Sequence, residues 1–152
     1  MSRKVTNRSK GRYPISDALS ILHSPSSLIK LNPLVLSYDL LPSNAVDQDS
    51  TITTWSIRDS LKLLAGLYTS TTTYIATFEP HPQGTDTVAM AEMGVVSKSS
   101  WRVEDDGTIV EEGELEAPWY LMAYVFGQWE ASHTRLMERL EETLKERELG
   151  TE

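Results

Sequence analysis

The chain has 152 residues, 39% of them hydrophobic, which suits one domain with a real core. Its net charge of −8 disfavours nucleic acid as a partner, because phosphate contact wants a basic face. It has no cysteine, which excludes disulfides, thiolate metal sites and a cysteine nucleophile, and no run approaches the roughly 20 apolar residues of a membrane span. A reducing, cytoplasmic setting is the expectation.

The first segment is basic (Arg3, Lys4, Arg8, Lys10, Arg12) but lacks the apolar stretch of a secretory signal. Val5 to Tyr13 reads as a first strand. Ser16 is placed to cap a short helix carrying Leu19 and Leu22. Ser24 and Pro25 start a second by the N-cap and N1 rule, and Asn32-Pro33 stops it. Leu34 to Leu41 alternates as a strand with Leu34, Leu36, Tyr38 and Leu40 on one face. Pro42 to Ser50 reads as a polar loop. Thr51 to Asp59 reads as a strand with Thr53, Trp55, Ile57 and Asp59 on one side, Asp59-Ser60 beginning a turn.

Leu61 to Leu67 is ambiguous between helix and strand. Tyr68 to Phe78 is β-branched and aromatic, and His81-Pro82-Gln83-Gly84 is a turn. Thr85 to Met93 and Val95 to Val103 read as strands either side of Gly94. Asp105-Asp106-Gly107 is a hairpin turn leading to a strand from Ile109 to Ala117. Pro118 then opens one long helix to about Glu148. At 100° per residue, Met122, Val125, Trp129, Leu136 and Leu140 share a face, with His133 near its centre.

Strands followed by a long helix indicate an α+β layer. We expect one domain, 1–152: strands and two short helices over about 3–117, and the closing helix over about 118–148. A curved antiparallel sheet around that helix would leave an elongated cavity of several hundred Å³.

Three residues are candidates for acid–base chemistry. His133 stands on the apolar stripe, and histidine titrates near neutral pH, which suits proton transfer. The bland alternative is a core histidine bonded to Glu130 or a strand hydroxyl. Glu111 alternates with Ile109, Gly113 and Leu115, so it points with the apolar set, where an unpaired carboxylate is costly. Val110, Glu112, Glu114 and Glu116 form the opposite, solvent face. Asp39 is the third candidate; its strand face also carries Val35, Ser37 and Leu41, which leaves its orientation open, and an edge-strand solubilising charge is the alternative. Trp129, Trp101, Tyr74, Phe78, Val125 and Met122 are the candidate substrate wall, or simply core. Trp119 and Tyr120 are placed to gate a pocket mouth. His23, His81 and His133 lie far apart without ligand spacing, so no metal site is expected. Ser132 and His133 diverge by about 100° on a helix and cannot serve one point as nucleophile and base.

Several segments carry a family likeness: Ile21-Leu22-His23, Leu28 to Val35, Gly94-Val95, Ser100 to Val103, and Ser132-His133. With them the chain resembles the START or birch-pollen-allergen-like superfamily (SRPBCC), and within it a fungal branch of small domains. The likeness extends to the pyrone-forming cyclase/hydrolase of aurovertin-type polyketide pathways. It implies a helix-grip fold and a polyketide cyclase or hydrolase of secondary metabolism. Such an enzyme releases or lactonises a linear polyene chain as an α-pyrone and needs no external cofactor. The implied partners are a hydrophobic small-molecule substrate and a polyketide synthase carrier domain, with monomer and homodimer both open. A non-catalytic carrier of a hydrophobic metabolite and an interaction module docking through the acidic helix end are the alternatives.

Overall fold

The computed structural model describes residues 1–42, 51–63 and 68–150. The expected loop at 43–50 and the ambiguous 64–67 stretch lie outside the described residues. Among the described residues, seven antiparallel strands form one sheet in the order β1-β7-β6-β5-β4-β3-β2. They are β1 (Ser2–Arg8), β2 (Val35–Leu40), β3 (Thr53–Leu63), β4 (Tyr68–His81), β5 (Gly84–Met90), β6 (Val96–Val103) and β7 (Ile109–Glu116). Helices α1 (Ile15–Leu22) and α2 (Pro25–Leu31) connect β1 at one edge to β2 at the other, and α3 (Trp119–Gly150) closes the described chain.

The local signals are mostly obeyed. Ser24 caps α2, its hydroxyl accepting from the Ser27 N–H at 3.4 Å, with Pro25 in the first turn. Gly107 takes φ 89° in the β6–β7 hairpin, the left-handed conformation glycine adopts at no steric cost. The Pro118 carbonyl accepts from the N–H groups of Leu121 and Met122, which starts α3 one residue later than expected.

Several expectations need correction, among them the strand from Thr85 to Met93, which ends at Met90 before a 3-10 turn over Glu92–Gly94. The first strand is Ser2–Arg8, not Val5 to Tyr13. Beyond it the chain turns away, held by Glu141 of α3, which accepts from the Gly11 N–H (2.9 Å) and the Tyr13 hydroxyl (2.8 Å). Helix α1 begins at Ile15 without a side-chain cap, so Ser16 lies inside it. In β2 a register shift between Val35 and Ser37 breaks the alternation. Val35 and Tyr38 therefore pack on the core, while Leu36 and Leu40 are exposed.

The core has two parts. The larger joins α1 and α2 to the concave side of the sheet and to Leu136, Met137, Leu140 and Leu144 of α3. The smaller holds Leu115, Ala117, Met122 and Trp129, with Val5, Val125 and Phe126 against it. His133 lies on α3 between Trp129 of the smaller part and Leu136 of the larger.

Candidate active site

Alternation along β7 turns Ile109, Glu111, Gly113 and Leu115 inward, as expected, although Val110 is buried as well. The Glu111 side chain is fully buried. Antiparallel pairing sets it opposite Asn7 on β1 and opposite Trp101 on β6. Asn7 Nδ2 donates to Glu111 Oε1 at 3.0 Å. The other carboxylate oxygen, Oε2, is in close contact with Nδ1 of His133.

Sheet and helix thus bring two of the three acid–base candidates together. Both oxygens of the buried carboxylate are engaged, which answers the cost of burying it alone. With Nδ1–H donating to Glu111, Nε2 is the ring nitrogen left for a substrate. The imidazole stacks obliquely on Trp129, ring centroids 4.8 Å apart. Trp129 is fixed in turn: its indole N–H donates to Ser97 Oγ at 2.8 Å. Its ring also fills the space over Gly113, where a Cβ would come within 2.8 Å.

His133 lines a cavity of about 90 Å³ together with Trp101, Tyr74, Phe78, Ser97 and Thr87. Leu28, Ile29 and Asn32 of the α2 segment, Val35, Ile57 and Leu136 complete most of its wall. The volume is well short of several hundred Å³, because Phe78, Trp101, Ile57 and the leucines of α2 and α3 occupy the concave face. An apolar cavity of roughly 150 Å³ accommodates benzene. At about 90 Å³ this space is smaller than that, so it excludes a whole polyene and leaves room only for a few heavy atoms of a substrate's reactive end. An outer groove of about 240 Å³ lies between Pro33-Leu34 and the Gln128–Arg135 stretch of α3.

Five other candidates fall elsewhere. Asp39 is exposed on edge strand β2, on the side opposite Tyr38, and does not face the cavity. Met122 and Val125 belong to the smaller core part with Leu115, away from the cavity wall. Trp119 and Tyr120 are exposed and stack edge-on against each other. His23 and His81, distant in sequence, meet in space, the His23 Nε2 lying 2.8 Å from the His81 carbonyl oxygen. Among the described residues no group of three or more His, Asp or Glu gathers that could hold a metal.

Two residues escaped sequence reasoning. Asn7 had no signal of its own, because its role depends on β1 pairing with the last strand. Asp59 had one: it shares the side of Ile57. It does not start a turn but sits inside β3, 7% exposed, paired with Val35 and Thr72. Burial pushes its carboxyl up to about 6, against the opposing effect of a hydrogen bond from the Tyr74 hydroxyl.

The folded chain therefore holds the Asp59 proton more tightly than the unfolded chain, whose value is 3.8. Stability should fall as pH rises from about 4 to 6 and stay level above, by at most about 3 kcal/mol from this group. Asp59→Asn should remove that fall, so urea unfolding of both proteins at pH 4 and pH 7.5 checks it. Equal pH dependence in the two would contradict it.

A seven-stranded antiparallel sheet packed on a long C-terminal helix is a helix-grip fold of the START-like kind. The solved structures agree. The di-domain ARO/CYC StfQ of the steffimycin biosynthetic pathway superposes with TM-score 0.70 at 9% identity, over 96% of this chain and 51% of that one. The Zhui aromatase/cyclase from Streptomyces sp. R1128 gives 0.65 at 8%, over 93% and 94%. A START superfamily protein from Mycobacterium smegmatis gives 0.58 at 11%, over 95% and 97%. The chain spans about half the length of StfQ. At these identities the likeness is one of fold. A search of curated proteins found no match. The chain belongs to the family described as domain of unknown function DUF7053, whose model matches residues 11–146.

Proposed function

We propose that the protein is a polyketide cyclase/hydrolase that releases a linear polyene thioester as an α-pyrone. The observation that carries this reading is the buried Glu111–His133 pair, whose histidine lines the cavity. A carrier of an apolar metabolite gains only from apolar area, about 25 cal/mol per Å² buried. It has no use for a carboxylate set to orient an imidazole. The aromatase/cyclase neighbours share the fold and support the choice of carbonyl chemistry by analogy.

In the proposed reaction, Nε2 of His133 takes the proton from the C5 enol of a 3,5-dioxo thioester. The enol oxygen adds to the C1 carbonyl, and a C–O bond forms. Ser97 accepts from Trp129 and keeps its own hydroxyl proton to donate, so with Thr87 it can steady the oxyanion. The tetrahedral adduct collapses, the C–S bond breaks, and the imidazolium returns its proton to the departing thiolate. Glu111 holds the ring and balances its charge while it is protonated, without taking the proton itself. Water in place of the enol gives the free acid by the same steps. The reactive head occupies the cavity and the polyene tail lies along the outer groove. The groove residues Pro33, Ser132 and Arg135 are chain neighbours of the cavity residues Asn32, His133 and Leu136.

Product analysis tests the reading. The purified protein, given an N-acetylcysteamine thioester of a 3,5-dioxo polyene acid, should form pyrone or free acid faster than buffer does. Binding without acceleration would assign the protein as a carrier.

A further inference from the structure

The cavity has a second polar pole that the chemistry above does not use. Asp59 is a buried carboxyl in mid-strand, and it meets the Tyr74 hydroxyl. The Tyr74–Ile57 register pair brings β4 and β3 together at this point, and both residues line the cavity. Asp59 lies two residues along β3 from Ile57, on the same inner side. In the sheet order, β3 stands four strand spacings from β7, which carries Glu111. That is about 19 Å along a flat sheet at 4.8 Å per strand. Curvature of the sheet and the reach of His133 and Tyr74 bring the two side chains onto the wall of one small cavity.

The Tyr74 hydroxyl donates to Asp59 at 3.3 Å, which commits the one proton of the phenol. Burial, reinforced by Asp59, pushes the phenol far up, so it stays neutral. What remains free on the phenol is its oxygen lone pair, and on a cavity walled largely by apolar side chains it is met by a ligand hydroxyl that donates to it.

We propose that Tyr74 is a substrate-binding residue whose phenol oxygen accepts from the enol hydroxyl at the second oxygen of a 1,3-dicarbonyl group, with Asp59, which accepts the phenol hydrogen bond, as the positioning residue that aims it. The inference rests on the function proposed above. In the forming 4-hydroxy-2-pyrone, the ring oxygen derives from C5 and the 4-oxygen from C3, on opposite sides of the ring. His133 attends the first and Tyr74 the second. The site therefore favours 1,3-dicarbonyl compounds over monoketones of the same length.

Binding of two small probes, acetylacetone and 2-pentanone, followed by NMR titration, tests this without any turnover. Wild type should bind acetylacetone about tenfold more tightly, the value of one buried hydrogen bond. Tyr74→Phe should remove that preference and leave 2-pentanone affinity unchanged. Asp59→Asn should reduce the preference in part, with a native-like NMR spectrum of the Tyr74→Phe protein guarding against a folding artefact. Equal affinity of wild type for both probes, or equal weakening of both in Tyr74→Phe, would overturn the proposal. If the preference is found but no thioester is turned over, the recognition site stands and the catalytic reading falls. Turnover with no preference for the diketone leaves the catalytic reading standing and removes the recognition site.

Discussion

His133→Ala should lower thioester turnover by about 10²–10⁴-fold, the loss typical of removing a general base. The 3.6-residue period of α3 places His133 beside the buried stripe, Glu111 takes its Nδ1, and the ring, with Nε2 as its remaining nitrogen, lines the cavity. Removing the ring also strands a fully buried carboxylate with Asn7 as its remaining partner. That costs stability and confuses a rate comparison. His133→Gln answers this, since its amide can still donate to Glu111 yet cannot act as a base. Both variants should lose turnover, and the glutamine variant should melt close to wild type. Wild-type rates in the folded glutamine variant would exclude His133 as the base.

Glu111→Gln is expected to be nearly as damaging although it touches no substrate. An amide is close in size to the carboxylate it replaces, and Asn7 and His133 keep a neighbour. Its N–H₂, however, can donate to Nδ1, which moves the imidazole proton to Nε2 and leaves no base facing the cavity. In the Ser-His-Asp arrangement the equivalent change costs about 10⁴ in kcat. We expect about 10²–10⁴ here, with substrate binding retained, so that kcat falls and KM changes little. Nitrogen-15 NMR of His133 would show the tautomer reversed. A full-rate Glu111→Gln enzyme would reduce the pair to a structural contact.

The two halves of this site are visible in the sequence, but only separately. Helical periodicity marks His133, and strand alternation marks Glu111, because each rule acts within a single element. Their meeting depends on where α3 crosses β7, 22 residues later in the chain, and no local pattern encodes that crossing. Asn7 is hidden for the same reason: its partner strand lies at the far end of the sheet-forming chain. Asp59 reads as a turn residue because Asp-Ser favours turns, while tertiary pairing with Val35 and Thr72 carries the strand through it. The inward face of β2 is lost to one register shift, since a single extra residue reverses alternation. Cavity volume is beyond reach, because periodicity says which residues face inward but not how completely they fill the space.

Whether the Glu111–His133 pair is catalytic is decided most simply by the rate of thiol release from the 3,5-dioxo N-acetylcysteamine thioester. The chain has no cysteine, so a thiol-reactive chromophore reports the released thiol without a protein background. Release by wild type should run well above the buffer rate and fall at least about a hundredfold in both His133→Gln and Glu111→Gln. Release at the buffer rate from a protein shown to bind the thioester, or release undiminished in both variants, would contradict a catalytic pair.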